Sequence, residues 1–128
     1  MGQQQLLLII LGVIIVGIAI AVGISQFGAA SVQSNKDGVT SGLVNIAANA
    51  YQYKIRPTSL GGGSNTYSGG GGYTIPSKMR ADDNATYATG TVGAGTITLI
   101  GTSKMNTVWK ATCTSDDTGK TSMVYSGW

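Results

Sequence analysis

Five aspartates and one cysteine are all the carboxylate and thiol chemistry this 128-residue chain has; histidine and glutamate are absent. That removes the commonest general base, the commonest metal ligand and half of the usual carboxylates. Four of the aspartates stand in two adjacent pairs, Asp82-Asp83 and Asp116-Asp117. Paired oxygen ligands can hold calcium, but in these Gly-, Thr- and Asn-rich surroundings they read better as turn residues. Cys113 has no second cysteine to bridge and no histidine to activate it, so it reads as a small buried core residue. Asn84-Ala85-Thr86 is an N-glycosylation sequon, which makes Asn84 a candidate acceptor; surface threonines are equally open to O-linked sugars. The stretch SLGGGSNTYSGGGGYTIPS (residues 59–77) holds seven glycines. A phosphate cradle requires a strand before such a loop and a helix after it. Here a helical pattern precedes and none follows, so a flexible or surface-wrapping connection is expected. No CxxCH haem site is present. Neither an enzyme nor a cofactor or metal site is expected.

The eight cations, against five anions, are scattered beyond residue 35. They form no dense phosphate-tracking groove, and no specific nucleic acid is predicted as a partner.

The elements that must carry these residues fall into two unlike halves. Residues 6–24 are nineteen positions with no charge and almost no polarity. As a helix they span roughly 28 Å, close to the hydrocarbon thickness of a bilayer. A secretory signal peptide would show a basic start, a shorter apolar core and a small-residue cleavage site. A simple anchor would show a Lys/Arg flank and interfacial aromatics. Neither pattern precedes Phe27, and the missing basic flank suggests that a leader has been removed. Gly12, Gly17 and Gly23 interrupt the aliphatic run; in a crowded bundle glycine lets backbones approach and permits local unwinding.

Proline is absent before Pro57, so the helix is expected to continue. Val39, Leu43, Ile46, Ala50 and Tyr53 recur at steps of four, three, four and three, one stripe of an amphipathic helix. Gly38 and Gly42 weaken helix propensity there. Lys54, Arg56 and Pro57 end the element. Residues 1–55 are therefore read as one long helix, 56–83 as a Gly-rich connecting loop and 84–128 as an antiparallel β-meander. Strand-like runs cover 84–92, 96–101, 106–114 and 120–125. The fold class is α+β: a long N-terminal α-helix, apolar in its first half and amphipathic in its second, packed on a small antiparallel sheet of about four strands. Val39, Leu43, Ile46, Ala50, Tyr53 and Trp109 are the expected helix-to-sheet contacts, with Trp109, Ala111 and Cys113 sharing one face of the third strand.

A short polar start, an uncharged aliphatic helix, an amphipathic continuation and a small β-domain together resemble a type IV pilin or a pilin-like filament subunit. The resemblance covers residues 1–55 well and the remainder in outline. It implies a precursor stored in inner-membrane lipid, cut by a prepilin peptidase, methylated on its new N-terminus and extruded by pilus assembly machinery into a helical homopolymer on the cell surface. It also implies that Gln5, if Met1 is the mature start, occupies the place where most pilins carry a glutamate. There it would accept a hydrogen bond from a neighbour's terminal amine without compensating its charge. Met1, Gln5, Leu6, Ile10, Gly12, Val13, Gly17 and Gly23 are the residues expected to carry subunit assembly. Adhesion, motility and DNA uptake all remain open as roles of such a filament. Two alternatives stand beside it: a pseudopilin of a type II-like secretion system, and a monomeric membrane-anchored β-domain that binds a surface ligand.

Overall fold

The computed structural model describes residues 2–128. It contains one long helix, α1 (Gly2–Ile55), and four strands: β1 (Ala85–Val92), β2 (Ile97–Ser103), β3 (Lys110–Ser115) and β4 (Thr121–Ser126). The strands form one antiparallel sheet in the order β1-β2-β3-β4. The expected α+β class holds. The chain divides into two compact units, one ending at Ser34 and the other comprising Asn35–Trp128.

The second unit is built around the predicted stripe. Val39, Leu43, Ile46 and Ala50 are buried in one cluster with Ala85, Tyr87, Ile97, Leu99, Ala111 and Cys113 of the sheet, and Tyr53 packs against its margin. Strand β2 alternates strictly between buried and half-buried positions, the period-two signature of a sheet with one covered face. Each fully buried leucine or isoleucine here is worth about 1.5–3 kcal/mol over its exposed state.

Two glycines that weaken helix propensity turn out to be the seam of this packing. A Cβ on Gly42 would lie 2.1 Å from the Tyr87 hydroxyl, and one on Gly38 would lie 2.4 Å from the Asn84 amide nitrogen. The sheet answers with Gly101, whose Cβ would meet Val39 at 2.9 Å. Polar ties flank the seam. Asn35 donates to the Asn84 carbonyl at 3.1 Å and accepts from Ser103 Oγ at 2.6 Å. Thr40 Oγ1 and Tyr125 Oη lie 2.7 Å apart, and the Lys36 ammonium sits 4.2 Å above the Tyr125 ring.

The glycine-rich stretch is less a connection than a cap and a second layer of core. Helix α1 stops just ahead of Arg56-Pro57, since the residue before a proline is pushed out of helical geometry. The amides of Gly63, Ser64 and Asn65 then return to the carbonyls of Tyr53, Arg56 and Lys54, satisfying acceptors that a helix C-terminus leaves open. A Cβ on Gly62 would lie 2.3 Å from the Arg56 carbonyl oxygen, so this return is available only to glycine. Beyond it, Tyr67, Tyr73 and Ile75 are buried in the core. Tyr67 is fully enclosed, its hydroxyl 3.0 Å from Ser115 Oγ and donating to the Asp116 carbonyl at 2.8 Å.

Trp109 corrects an expectation. Residues 106–109 make a turn rather than the start of a strand: Trp109 N donates to the Asn106 carbonyl and Val108 N to Asn106 Oδ1, both at 3.0 Å. Asn106 thus captures the local backbone, as asparagine does in Asx turns, and β3 begins only at Lys110. Trp109 is left outside the core cluster, stacked on Trp128 at 5.2 Å, whereas Ala111 and Cys113 take the buried face as expected.

Lys54 closes the far end of the unit. Its buried ammonium lies 2.8 Å from Asp117 Oδ1, donates to the Asp117 carbonyl at 2.8 Å and reaches Asn65 Oδ1 at 3.3 Å. The hydrogen bond to Asp117 holds its pKa above the ordinary lysine value, against the opposing pull of burial. Burial pushes Tyr73 up to about 12. Burial, reinforced by the hydrogen bond to Asp82, also raises Tyr87.

Two predictions come from this packing. Replacing Gly42 by alanine gains about 1 kcal/mol of helix propensity but forces Tyr87 out of place, an overpacking cost of about 1–3 kcal/mol. The net expectation is a lower melting temperature for Gly42→Ala than for Gly23→Ala, read by near-ultraviolet circular dichroism of the full chain in detergent. The second prediction concerns alkali. Lys54, Tyr73 and Tyr87 all have folded pKa values raised above their unfolded ones. Their contribution is therefore complete below pH about 10, near the unfolded values, and is lost as pH climbs through the folded ones. The melting temperature should be level from pH 8 to 10 and fall steadily from 10 to 12. A level profile through pH 12 contradicts the assignment.

Candidate assembly surface

The first unit offers a surface rather than a pocket. Every large apolar side chain from Leu6 to Phe27 is exposed, between 52% and 77%. No charged residue precedes Lys36. Leu6, Ile10 and Val13 are among the exposed aliphatics, and Gln5 is exposed at the start of α1; Met1 lies outside the described residues. By length and composition α1 is able to cross a membrane.

Gly12, Gly17 and Gly23 contrast with the glycines of the second unit. A Cβ on any of them would meet nothing within 4 Å, so no contact among the described residues requires glycine there. Near the start of α1, Gln4, Leu7, Leu8 and Leu11 line an open, largely apolar groove of about 330 Å³. Gln3, Leu6, Leu7 and Ile10 line another of about 290 Å³. Positions i, i+3, i+4 and i+7 are the four that form a hole for a side chain of a neighbouring helix.

The other candidate residues are engaged within the second unit. Asp82 Oδ1 accepts from the amides of Asn84 and Ala85 at 2.8 Å, and Oδ2 accepts from the Tyr87 hydroxyl at 2.7 Å. Burial alone would raise its pKa, but these bonds outweigh it and hold it below the usual carboxylate value. Asp116 is lowered by the hydrogen bond from the Thr118 hydroxyl and by the amides of Thr118 and Lys120. Its Oδ1 accepts all three at 2.7–2.9 Å. Both carboxylates therefore organise turns. Among the described residues, no cluster of three or more potential His, Cys, Asp or Glu ligands occurs. Burial raises the Cys113 thiol pKa, the opposite of what a nucleophile needs. The Asn84 carboxamide is pressed against Gly38; a glycan on it requires the side chain to swing out of that seam.

Sequence reasoning missed the core role of Tyr67 and Tyr73. The signal was present, as two aromatic residues at either end of a glycine run, but aromatic anchoring of a loop has no period by which to recognise it. No family model matches this chain, and no curated protein or solved structure matches it.

Proposed function

We propose that this chain is the repeating subunit of an extracellular type IV pilus-like filament, held in a membrane before assembly. The observation that carries the proposal is the contrast along a single helix: the stripe from Val39 to Ala50 is buried, whereas the large aliphatic residues from Leu6 to Ile24 are exposed. In water each exposed leucine or isoleucine forgoes about 1.5–3 kcal/mol of burial. In lipid that cost vanishes, and transfer from lipid into a bundle of identical helices is nearly neutral in hydrophobic terms. Close packing then decides the transfer, and small residues favour it. Gly12, Gly17 and Gly23, with no neighbour of their own, are suited to such approach. Repetition of one head-to-tail contact gives an open helical polymer.

Negative-stain microscopy of material sheared from cells tests the proposal. Long filaments containing this chain are expected; a pseudopilin would give none at the surface. A cysteine introduced by Ile14→Cys should cross-link most subunits into covalent dimers, since each thiol pairs once and the native Cys113 is buried, whereas an independent anchor should stay mostly monomeric. Val13→Lys should abolish filaments while leaving the second unit folded, because an unpaired charge in a dry bundle costs several kcal/mol. Normal filaments from Val13→Lys would overturn the proposal.

A further inference from the structure

The two edges of the sheet are finished differently. The bond from Ser103 N to the Trp109 carbonyl and that from Asp116 N to the Lys120 carbonyl, both 2.9 Å, fix the phase of the ladders on either side of β3. Antiparallel pairs alternate between bonded and non-bonded positions. With Thr112 opposite Val124 and Thr114 opposite Ser122, the backbones of Ser122, Val124 and Ser126 turn inward to β3. Those of Thr121, Met123 and Tyr125 turn outward. The same alternation aims Ala85, Tyr87 and Thr89 out of the β1 edge, and there the chain closes over the first two. Tyr87 N donates to the Arg80 carbonyl at 2.7 Å, the Ala85 carbonyl accepts from Asp82 N at 2.9 Å, and Ala85 N donates to Asp82 Oδ1 at 2.8 Å. Among the described residues, nothing equivalent meets the outward groups of Thr121, Met123 or Tyr125.

An open edge is normally blunted by charge, proline or a bulge. Strand β4, TSMVYS, carries no charge and no proline, and its pairing with β3 runs without a register shift. Val124 stands 64% exposed beside this edge.

We propose that β4 is a strand-pairing site whose occupant is β4 of a second copy of this chain, joined antiparallel about a two-fold axis at Met123. The edge is self-complementary in that register. Thr121 then faces the partner's Tyr125, Met123 faces the partner's Met123, and all three outward residues meet outward residues, so their donors and acceptors match. On the outer face Ser122 falls opposite the partner's Val124, and Lys120 falls opposite the partner's Ser126, so no like charges oppose one another. A two-fold contact cannot propagate a one-start helical polymer. Within the filament reading, on which this part rests, the contact therefore joins one filament to another.

The test uses the full chain in detergent, where no filament is needed, with mass read by sedimentation and folding by circular dichroism. The wild-type chain should show a concentration-dependent dimer, twice the monomer mass. Ser122→Lys with Val124→Lys should stay monomeric and folded, since it sets lysines directly opposite one another. Ser122→Glu with Val124→Lys should restore the dimer, because each introduced carboxylate meets an introduced ammonium. A monomeric wild type, a dimer unaffected by the double lysine variant, or no recovery in the charge-swapped variant would each overturn the assignment. Surface filaments alongside a monomeric detergent form would sink this inference alone. A dimer without filaments would sink the filament reading alone.

Discussion

The controlling constraint is that a helical surface with no charge before Lys36 and bare aliphatic side chains from Leu6 onward needs a dry surround. Among the described residues, no side chain supplies one in the first unit. The local composition is consistent with that demand. Polarity at the start comes from neutral carboxamides, Gln3, Gln4 and Gln5, which can both donate and accept hydrogen bonds and carry no Born penalty of the kind a buried ion faces. The aliphatic side chains suit lipid and a helix bundle equally, so the sequence need not change character between the two.

Glycine serves opposite purposes in the two units. In the second, Gly38, Gly42 and Gly101 each sit where a methyl group would collide with Asn84, Tyr87 or Val39. The roughly 1 kcal/mol that a helical glycine costs is offset by bringing the sheet onto the helix backbone and burying Tyr87. In the first unit the same residue lies in open space, and no contact among the described residues offsets its cost. A residue that is costly alone and useful at close approach suits the assembly proposed above.

Much of the architecture was legible because it is periodic. The stripe at Val39, Leu43, Ile46 and Ala50 reads off a helical wheel, and the alternation in residues 97–103 reads as a half-covered strand. What escaped was set by single contacts. Trp109 continues the alternation of β3 in sequence, yet Asn106 captures the preceding backbone and the strand starts one residue too late to include it. Gly38 and Gly42 look like defects until Asn84 and Tyr87 are seen against them. The 56–83 segment looks like slack chain, yet its amides cap α1 and its tyrosines fill the core. Of the candidate surface, the apolar character was legible in full, whereas the open space around Gly12, Gly17 and Gly23 among the described residues shows only in three dimensions.

The second unit holds together without a disulfide, Cys113 being the only cysteine, and domains of this size have little core to spare. Its solution is to let each irregular segment do two jobs. The turn carrying Asp116 closes the β3–β4 hairpin, while Asp117 beside it anchors Lys54 at the end of α1. The Asp82 turn seals the β1 edge and holds the Tyr87 hydroxyl that packs on Gly42. The glycine run caps a helix and delivers Tyr67 beneath the hairpin turn. Among the described residues, the outward backbone groups of Thr121, Met123 and Tyr125 in β4 are under no such commitment.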